Sequence, residues 1–367
     1  MIVHVFNGRQ IHLVLDISKG FITTYYDIAI PFIVIIGGSE ENKNKYLHLF
    51  RDNHFNDFIF ISSLFQFAKF VMKVKDKTIL FHGGLYEWVF VALTCGADNV
   101  NWVCWGQGSA IGKNWKSRLM TPVKRVLYQK YKSIVTLMDE DRESIIKDFH
   151  VRPDAIQTIS YATTGYISPY DNLLDQLFFD VQPLKEKPLV LLGNSPRETN
   201  NYIEMLYRLE HLKGKIRVQC MNNYSLKRGK LYNQLIATGK SLFGDDFKSN
   251  EDFYSEKPDY FRYMNSCDLY VCTSSSQTGL GAIGTCIRLG KKIYIHGKNL
   301  NWMRNHYGVK VWDSDDITNK TTYDELVQPL DINQKKLNRE LFLRKRSGNV
   351  DLWKEYLQRI NIVNSVI

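Results

Sequence analysis

Short, unbroken apolar runs alternate with longer stretches of helical period along the first half of the chain. The runs are Ile2–Phe6, Phe32–Ile36, Phe58–Ile61, Thr78–Phe81, Asn101–Cys104 and Ser133–Leu137. Runs this short, with no polar alternation, fit strands buried on both faces, and strands separated by helices imply a parallel sheet. After the last run, Asp139-Glu-Asp-Arg-Glu-Ser144 reads as a helix start with acids in its first turn. Between Ile167 and Pro188 the period is lost, and turn residues mark both ends: Ile167-Ser-Pro-Tyr-Asp171 and Gln182-Pro-Leu-Lys-Glu-Lys-Pro188. This is the expected inter-domain connection. The alternation then restarts, with strands expected at Leu189–Leu192, Lys215–Cys220, Leu269–Cys272 and Lys292–His296 and helices at Asn200–Glu210, Tyr224–Thr238 and Phe253–Asn265. The pattern predicts two α/β domains with Rossmann-like parallel sheets, residues 1–167 and 183–345, facing a central cleft. In the terminal segment 346–367, a helix over Asp351–Ile362 is a candidate to cross back to the first domain.

Composition narrows this little. At 367 residues the chain can hold two domains. No apolar run is long enough to span a bilayer, and Met1-Ile-Val-His-Val-Phe-Asn runs into a strand and is not read as a signal peptide. The six cysteines, at 95, 104, 220, 267, 272 and 286, lack zinc-knuckle spacing and read as reduced thiols of a cytosolic protein. Charge says more. A formal net charge of +10 calls for a nucleic acid, an anionic membrane surface or a polyphosphate ligand. From Lys113 to Lys132 there are basic residues and no acid, interleaved with Trp115, Leu119, Met120, Val123, Val126, Leu127 and Tyr131. Such a segment fits either a membrane-surface contact or a core-packed helix with a solvated basic face.

Candidate chemistry concentrates at the expected strand ends. Asp268–Gly290 reads as strand, glycine loop and helix, with Gln277, Thr278, Gly279 and Gly281 in the loop. Helix N-termini after glycine loops offer N–H groups and a favourable dipole to phosphate. No Gly-Lys-Ser/Thr follows, so it is not a Walker A loop, and its late position is wrong for the first dinucleotide turn. Two further loops should share that edge: Gly193, Asn194, Ser195 and Arg197 in one, Asn222, Tyr224, Lys227 and Arg228 in the other. Together they provide amides, cations and a ring for a nucleotide. Singly, each loop is equally an ordinary polar turn. In the first half, His82 with Gly83 and Trp105 with Gln107 end strands. His82, or Asp139 and Asp141, could act as base or orient a hydroxyl, and Trp105 could carry a sugar ring. The alternatives are a structural histidine, helix-capping acids and a core plug. No Asp-x-Asp is read as a metal-holding strand end and no His/Cys cluster is present, so the expectation is a site with no metal and no cofactor beyond a nucleotide-sugar substrate.

Several of these residues carry a family resemblance. Leu192-Gly-Asn-Ser195, Asn201-x-Ile203-x-x-Leu206, Cys267-Asp-Leu269, Gln277-x-Gly279-x-Gly281 and Ile287-x-x-Gly290 resemble the 4-acetamido-4,6-dideoxygalactose (TDP-N-acetylfucosamine) transferases of enterobacterial common antigen assembly. So do Phe81-His82-Gly83, Trp105-Gly106 and the basic stretch Pro122–Arg125. The resemblance covers roughly residues 75–310. It departs at Gln107-Gly108, where the family more often has Ala-Asp, and at Met221–Arg228, which is more basic. It implies a GT-B glycosyltransferase with a nucleoside-diphosphate-sugar donor in the second domain, and a lipid-diphosphate-linked glycan acceptor in the first, at the inner face of a bacterial membrane. Gly83, Trp105 and Gln107 would then bind acceptor. The competing expectations are a DNA-modifying transferase and a non-catalytic nucleic-acid-binding protein. No recognition-helix or RNA-binding signature supports either.

Overall fold

The computed structural model describes residues 1–106, 108–111, 115–161, 170–180, 185–193, 200–221, 229–250 and 257–362. The chain divides into two compact units, Met1–Ile167 with Arg346–Ile367, and Ser168–Lys345. The first carries β1 (Ile2–Asn7), α1 (Ile11–Thr24), β2 (Pro31–Ile36), α2 (Glu40–Asp52), β3 (Phe58–Ile61), α3 (Leu64–Val74), β4 (Thr78–His82), α4 (Tyr86–Thr94), β5 (Val100–Cys104), α5 (Trp115–Leu119), α6 (Thr121–Gln129), β6 (Ser133–Thr136), α7 (Asp139–Phe149) and β7 (Ile156–Thr158). The second carries α8 (Asp171–Phe179), β8 (Leu189–Leu192), α9 (Tyr202–Leu209), β9 (Arg217–Met221), α10 (Lys230–Phe243), β10 (Phe247–Asn250), α11 (Lys257–Ser266), β11 (Leu269–Cys272), α12 (Leu280–Arg288), β12 (Lys292–Ile295), α13 (Gly297–Asn301), β13 (Trp312–Asp313) and α14 (Tyr323–Val327). The long α15 (Ile332–Ile362) closes the chain.

The sheets run β3-β2-β1-β4-β5-β6-β7 and β10-β9-β8-β11-β12-β13, with every neighbouring pair parallel. Strand order reverses at β1/β4 and at β8/β11, which is where parallel α/β sheets open a crevice at their carboxyl ends. The first sheet is covered on both faces. Val3, Val5 and Phe81 pack under α3, α4, α6 and α7, while Ile2, Phe6 and Leu80 pack under α1, α2 and the end of α15. Local signals agree with the helix starts. Ser39 and Ser63 accept from Asn42 N and Gln66 N at 3.2 Å each, and Thr322 with Glu325 forms a capping box.

The structure adds elements that the apolar pattern does not announce. β7, β10 and β13 are short edge strands with few apolar residues. The expected connection contains α8, whose Leu174 and Phe178 are buried. Its clustered leucines and phenylalanines obscured the helical period within that connection. The last helix starts at Ile332, well before Asp351. Its stripe changes midway: Phe342 packs on Tyr307 in the second unit, ring centroids 4.8 Å apart, whereas Trp353 stacks on Tyr161 in the first at 5.3 Å. The basic stretch 113–132 is two short helices, α5 and α6, broken near Pro122. All six cysteines are free, and all but Cys95 are buried.

Candidate active site

At the reversal of the second sheet, the loops leaving β8 and β11 lie side by side. Leu192 pairs with Val271, and Gly193 N donates to Val271 O at 3.0 Å. A Cβ on Gly193 would overlap the Tyr270 ring, so only glycine fits this strand end. Tyr202 OH donates to Gly193 O, and buried Asn200 donates to Tyr202 OH at 3.2 Å. Beyond β11 the chain surfaces at Ser275 and re-enters the core at Ala282. Gly279 caps α12 in the left-handed region (φ +66°), and Gly281 in its first turn is exposed, with open space where a Cβ would stand. The first-turn N–H groups of a helix have no intrahelical acceptor, and α12 has no acid there to offset their partial charge. The loop is braced from α13. Asn299 Nδ2 donates to Thr278 O at 2.8 Å, and the backbone at Gly297 presses so closely that a Cβ would lie 2.7 Å from Ser275 O. Gln277 Oε1 is buried, with no hydrogen-bond partner among the described residues. Thus Gly193, Gln277, Thr278, Gly279 and Gly281 are brought to one sheet edge. Asn194, Ser195, Arg197, Asn222, Tyr224, Lys227 and Arg228 lie outside the described residues, as does Gln107.

The carboxyl edge of the first sheet holds a buried polar chain. His4 Nδ1 is 3.1 Å from His82 Nε2, His82 Nδ1 is 2.5 Å from Tyr161 OH, and Trp105 Nε1 donates to Tyr161 OH at 3.0 Å. An indole N–H can only donate. Tyr161 oxygen therefore accepts from Trp105, and the order of protons along Tyr161, His82 and His4 is set by the imidazole tautomers. Burial keeps every member neutral. It pushes the Tyr161 phenol up and both imidazoles down, His4 to about 3, and a proton on neighbouring His4 would lower His82 further. His82 is thus at its expected strand end but fully buried, with both nitrogens engaged. In that state it contacts Tyr161, which in turn holds the Trp105 indole. The Trp105 ring also rests on Gly83 (φ +82°), where a Cβ would lie 2.9 Å from the ring. Of the acids, Asp141 is buried and accepts from Ser109 Oγ at 2.7 Å, fastening the loop after β5. Asp139 is the exposed carboxylate of the pair, at the start of α7.

One reading requires correction. Asp-x-Asp triplets do stand at strand ends: Asp139-Glu140-Asp141 follows β6, and Asp313-Ser314-Asp315 ends β13. The second lies beside His296. Its Nδ1 is 3.1 Å from Asp313 Oδ1 and 3.4 Å from Asp315 Oδ2, and one ligand atom from each residue lies within 4.8 Å of the others. These residues could hold a divalent cation, though Arg208 also pairs with Asp315 at 3.3 Å. The sequence reading missed the group because β13 is only two residues long. His296 carried a signal, as it directly follows a strand just as the Trp105 loop does.

The basic segment also resolves. Trp115, Leu119, Met120, Val123 and Val126 are exposed, and only Leu127 and Tyr128 of α6 turn into the core. Among the described residues no helix is long and apolar enough to cross a membrane.

The fold has close counterparts. A glycosyltransferase from Rickettsia africae superposes with a TM-score of 0.69 at 12% identity, over 100% of this chain and 98% of that one. Anabaena HepE in complex with UDP-glucose gives 0.67 at 14% identity, over 100% and 99%. The alpha,alpha-trehalose 6-phosphate synthase from Burkholderia multivorans gives 0.57 at 10% identity, over 97% and 83%. At such identities these likenesses speak for the fold, two parallel α/β units of the GT-B type. A comparison with curated protein sequences finds no match. The family model for 4-alpha-L-fucosyltransferases, glycosyl transferase group 56, matches residues 23–338. The chain therefore belongs to glycosyl transferase group 56, the 4-alpha-L-fucosyltransferase family, and is a GT-B glycosyltransferase.

Proposed function

We propose that this enzyme moves a sugar from a nucleoside-diphosphate sugar to a lipid-linked glycan acceptor in bacterial surface polysaccharide assembly, at the cytoplasmic face of the membrane. The observation that carries the donor half is the pair of glycine-bearing loops at the β8/β11 reversal, with the bare first turn of α12 between Gly279 and Ala282. HepE, a protein of the same fold, is described with UDP-glucose. In this reading residues 183–345 hold the donor and residues 1–167 the acceptor. The α12 N–H groups, with Arg197, Lys227 and Arg228, stabilise the departing diphosphate in place of a metal ion. Tyr224 stacks on the base, and Asn194, Ser195 and Asn222 contact the ribose or phosphates.

On the acceptor side, Trp105 supports a sugar ring, and Gly83 and Gln107 border it. Asp139 is the exposed group available to take the proton of the acceptor hydroxyl as its oxygen bonds to the donor carbon. The bond from that carbon to the diphosphate breaks in the same transfer, and the diphosphate leaves with its electron pair. His82 acts through Tyr161, holding Trp105 in place. The exposed apolar stripe of α5 and α6, with its cations, attaches the enzyme to an anionic bilayer where the acceptor resides.

Thermal stabilisation by a panel of nucleoside-diphosphate sugars, followed by transfer to lipid-linked acceptors, tests the reading. Stabilisation by one nucleotide class and transfer from its sugar are expected. Failure of every nucleotide sugar to stabilise the fold would remove the donor assignment, and steep, salt-dependent binding to duplex DNA would redirect it towards a DNA-modifying enzyme.

A further inference from the structure

Beyond α5 and α6, the same side of the first sheet carries further exposed apolar residues. Helices α3, α4, α6 and α7 all cover one face of that sheet. They are neighbours in pairs: Phe67 of α3 meets Trp88 of α4 with ring centroids 5.2 Å apart, and Tyr86 of α4 meets Tyr128 of α6 through hydroxyls 3.0 Å apart. Their inner residues, such as Phe67, Val71, Val89 and Leu127, are buried. The outer residues of α3, α4 and α6 include large apolar side chains that a solvated helix layer would not carry, whereas α7 turns Asp139, Glu143 and Lys147 outward. Phe65 is 68% exposed, Met72 56% and Phe90 61%, comparable with Trp115 at 67% and Val126 at 61%. Spacing explains the α3 pair. With Phe67 and Val71 turned inward, positions 65, 69 and 72 form the opposite stripe.

Cations stand among these side chains. Lys69 Nζ lies 4.5 Å from the Phe65 ring centroid, and Lys73 is exposed in the last turn of α3. Lys124 of α6 lies 5.1 Å from the Tyr86 ring. Of the acids nearby, Glu87 is exposed in the first turn of α4, and Asp76, beyond α3, is paired with Lys77 at 2.8 Å. A broad apolar surface with interspersed cations complements an anionic bilayer, where ammonium groups reach headgroups while rings and thioethers enter the acyl boundary.

We propose that the outer faces of α3, α4, α5 and α6 form one continuous surface that lies on an anionic bilayer, with Phe65, Met72 and Phe90 inserted beside the α5–α6 residues. This rests on the membrane reading given above and enlarges it from a short basic segment to a whole helix layer. It also places the acceptor loops at the membrane. Tyr86, which opens α4 directly after the His82–Leu85 loop, lies under Lys124, so the loop that would receive the acceptor borders the docking surface. A lipid-linked acceptor could then stay in the bilayer while its glycan reaches the site.

The test compares the intact protein with a Phe65→Ser, Met72→Ser, Phe90→Ser triple variant and with a Lys116→Gln, Arg118→Gln, Lys124→Gln, Arg125→Gln variant. Binding is measured by co-sedimentation with phosphatidylglycerol-containing vesicles and with pure phosphatidylcholine vesicles. An unchanged melting temperature of the triple variant, whose replaced side chains are exposed, guards against misfolding. The intact protein is expected to bind the anionic vesicles only. The triple variant should bind them about tenfold or more weakly, since each large side chain removed from the acyl boundary forfeits burial of its apolar surface. Its KM for acceptor embedded in vesicles should rise while transfer to a short water-soluble acceptor is unchanged. If the triple variant binds as tightly as the parent while the charge variant is released, the layer is overturned and the narrower α5–α6 anchor stands. If the parent ignores anionic vesicles, both fail. If the parent is a dimer that the triple variant converts to monomer, the face joins two copies of the chain, and the membrane assignment of α3 and α4 is wrong.

Discussion

The buried His4–His82 pair makes a sharp prediction about acid. His4 is held to about 3 from an ordinary value of 6.5 because burial disfavours its charged form. The sign follows from the two states. Below 6.5 the unfolded chain takes up a proton at His4 and the folded chain does not, so stability is present above that pH and is lost as pH falls from 6.5 towards 3. Each pH unit in that window is worth about 1.4 kcal/mol. Moving from pH 7.5 to pH 5.0 should therefore cost about 2 kcal/mol from His4 alone, and His82, shifted in the same direction, adds to it. Ordinary carboxylates stay largely ionised at pH 5.0, which separates this effect from general acid unfolding. The variant that isolates it is His4→Asn, whose side-chain amide can accept from or donate to His82 Nε2 but does not titrate. Urea unfolding of both proteins at several pH values between 7.5 and 5.0 gives the comparison. The parent should lose stability more steeply than His4→Asn, whatever the variant's absolute stability at pH 7.5. Parallel pH dependences would show that His4 is not held neutral in the folded state.

Three further outcomes follow from the same geometry. Gly83→Ala forces a side chain into a left-handed backbone and against the Trp105 ring, so it should lower the melting temperature and shift Trp fluorescence; an unperturbed emission spectrum would remove Trp105 from Gly83. Asp139→Asn should lower kcat by roughly a hundredfold or more, whereas His82→Ala should act mainly on KM for acceptor and leave nucleotide binding intact; the reverse pattern would make His82 the base. Turnover should persist in excess chelator and in His296→Gln, and loss restored by magnesium or manganese would instead place an ion at His296, Asp313 and Asp315.

The sequence carried the central strands well because each is a continuous apolar run buried on both faces. Edge strands have one open side and need fewer apolar residues, so Ile156–Thr158, Phe247–Asn250 and Trp312–Asp313 left almost no pattern. The last helix was legible only over its final turns, because its apolar stripe shifts where it passes from one unit's core to the other's. At the candidate site, glycine marked the loops that need close approach, Gly83, Gly193 and Gly279. The network behind them was not legible. His4 sits within a strand and Tyr161 beyond one, far from His82 in sequence, and only the pairing of β1 with β4 brings the first of them to it. The exposed face of α5 and α6 was equally hidden, since an apolar stripe looks the same whether it meets a core or a bilayer.

The most direct test of the central claim is nucleotide binding to Gly281→Val. Gly281 is exposed at the first turn of α12, with no atom near the position of its missing Cβ, so valine should leave the fold intact while standing where a diphosphate would meet the helix N–H groups. Ligand at a hundred times its Kd should stabilise the parent by about 2.7 kcal/mol, a shift readily seen by thermal unfolding. The variant is expected to melt like the parent without ligand and to show no shift with it. Equal stabilisation of parent and variant by the same nucleoside diphosphate sugar would contradict the placement of the donor at this loop.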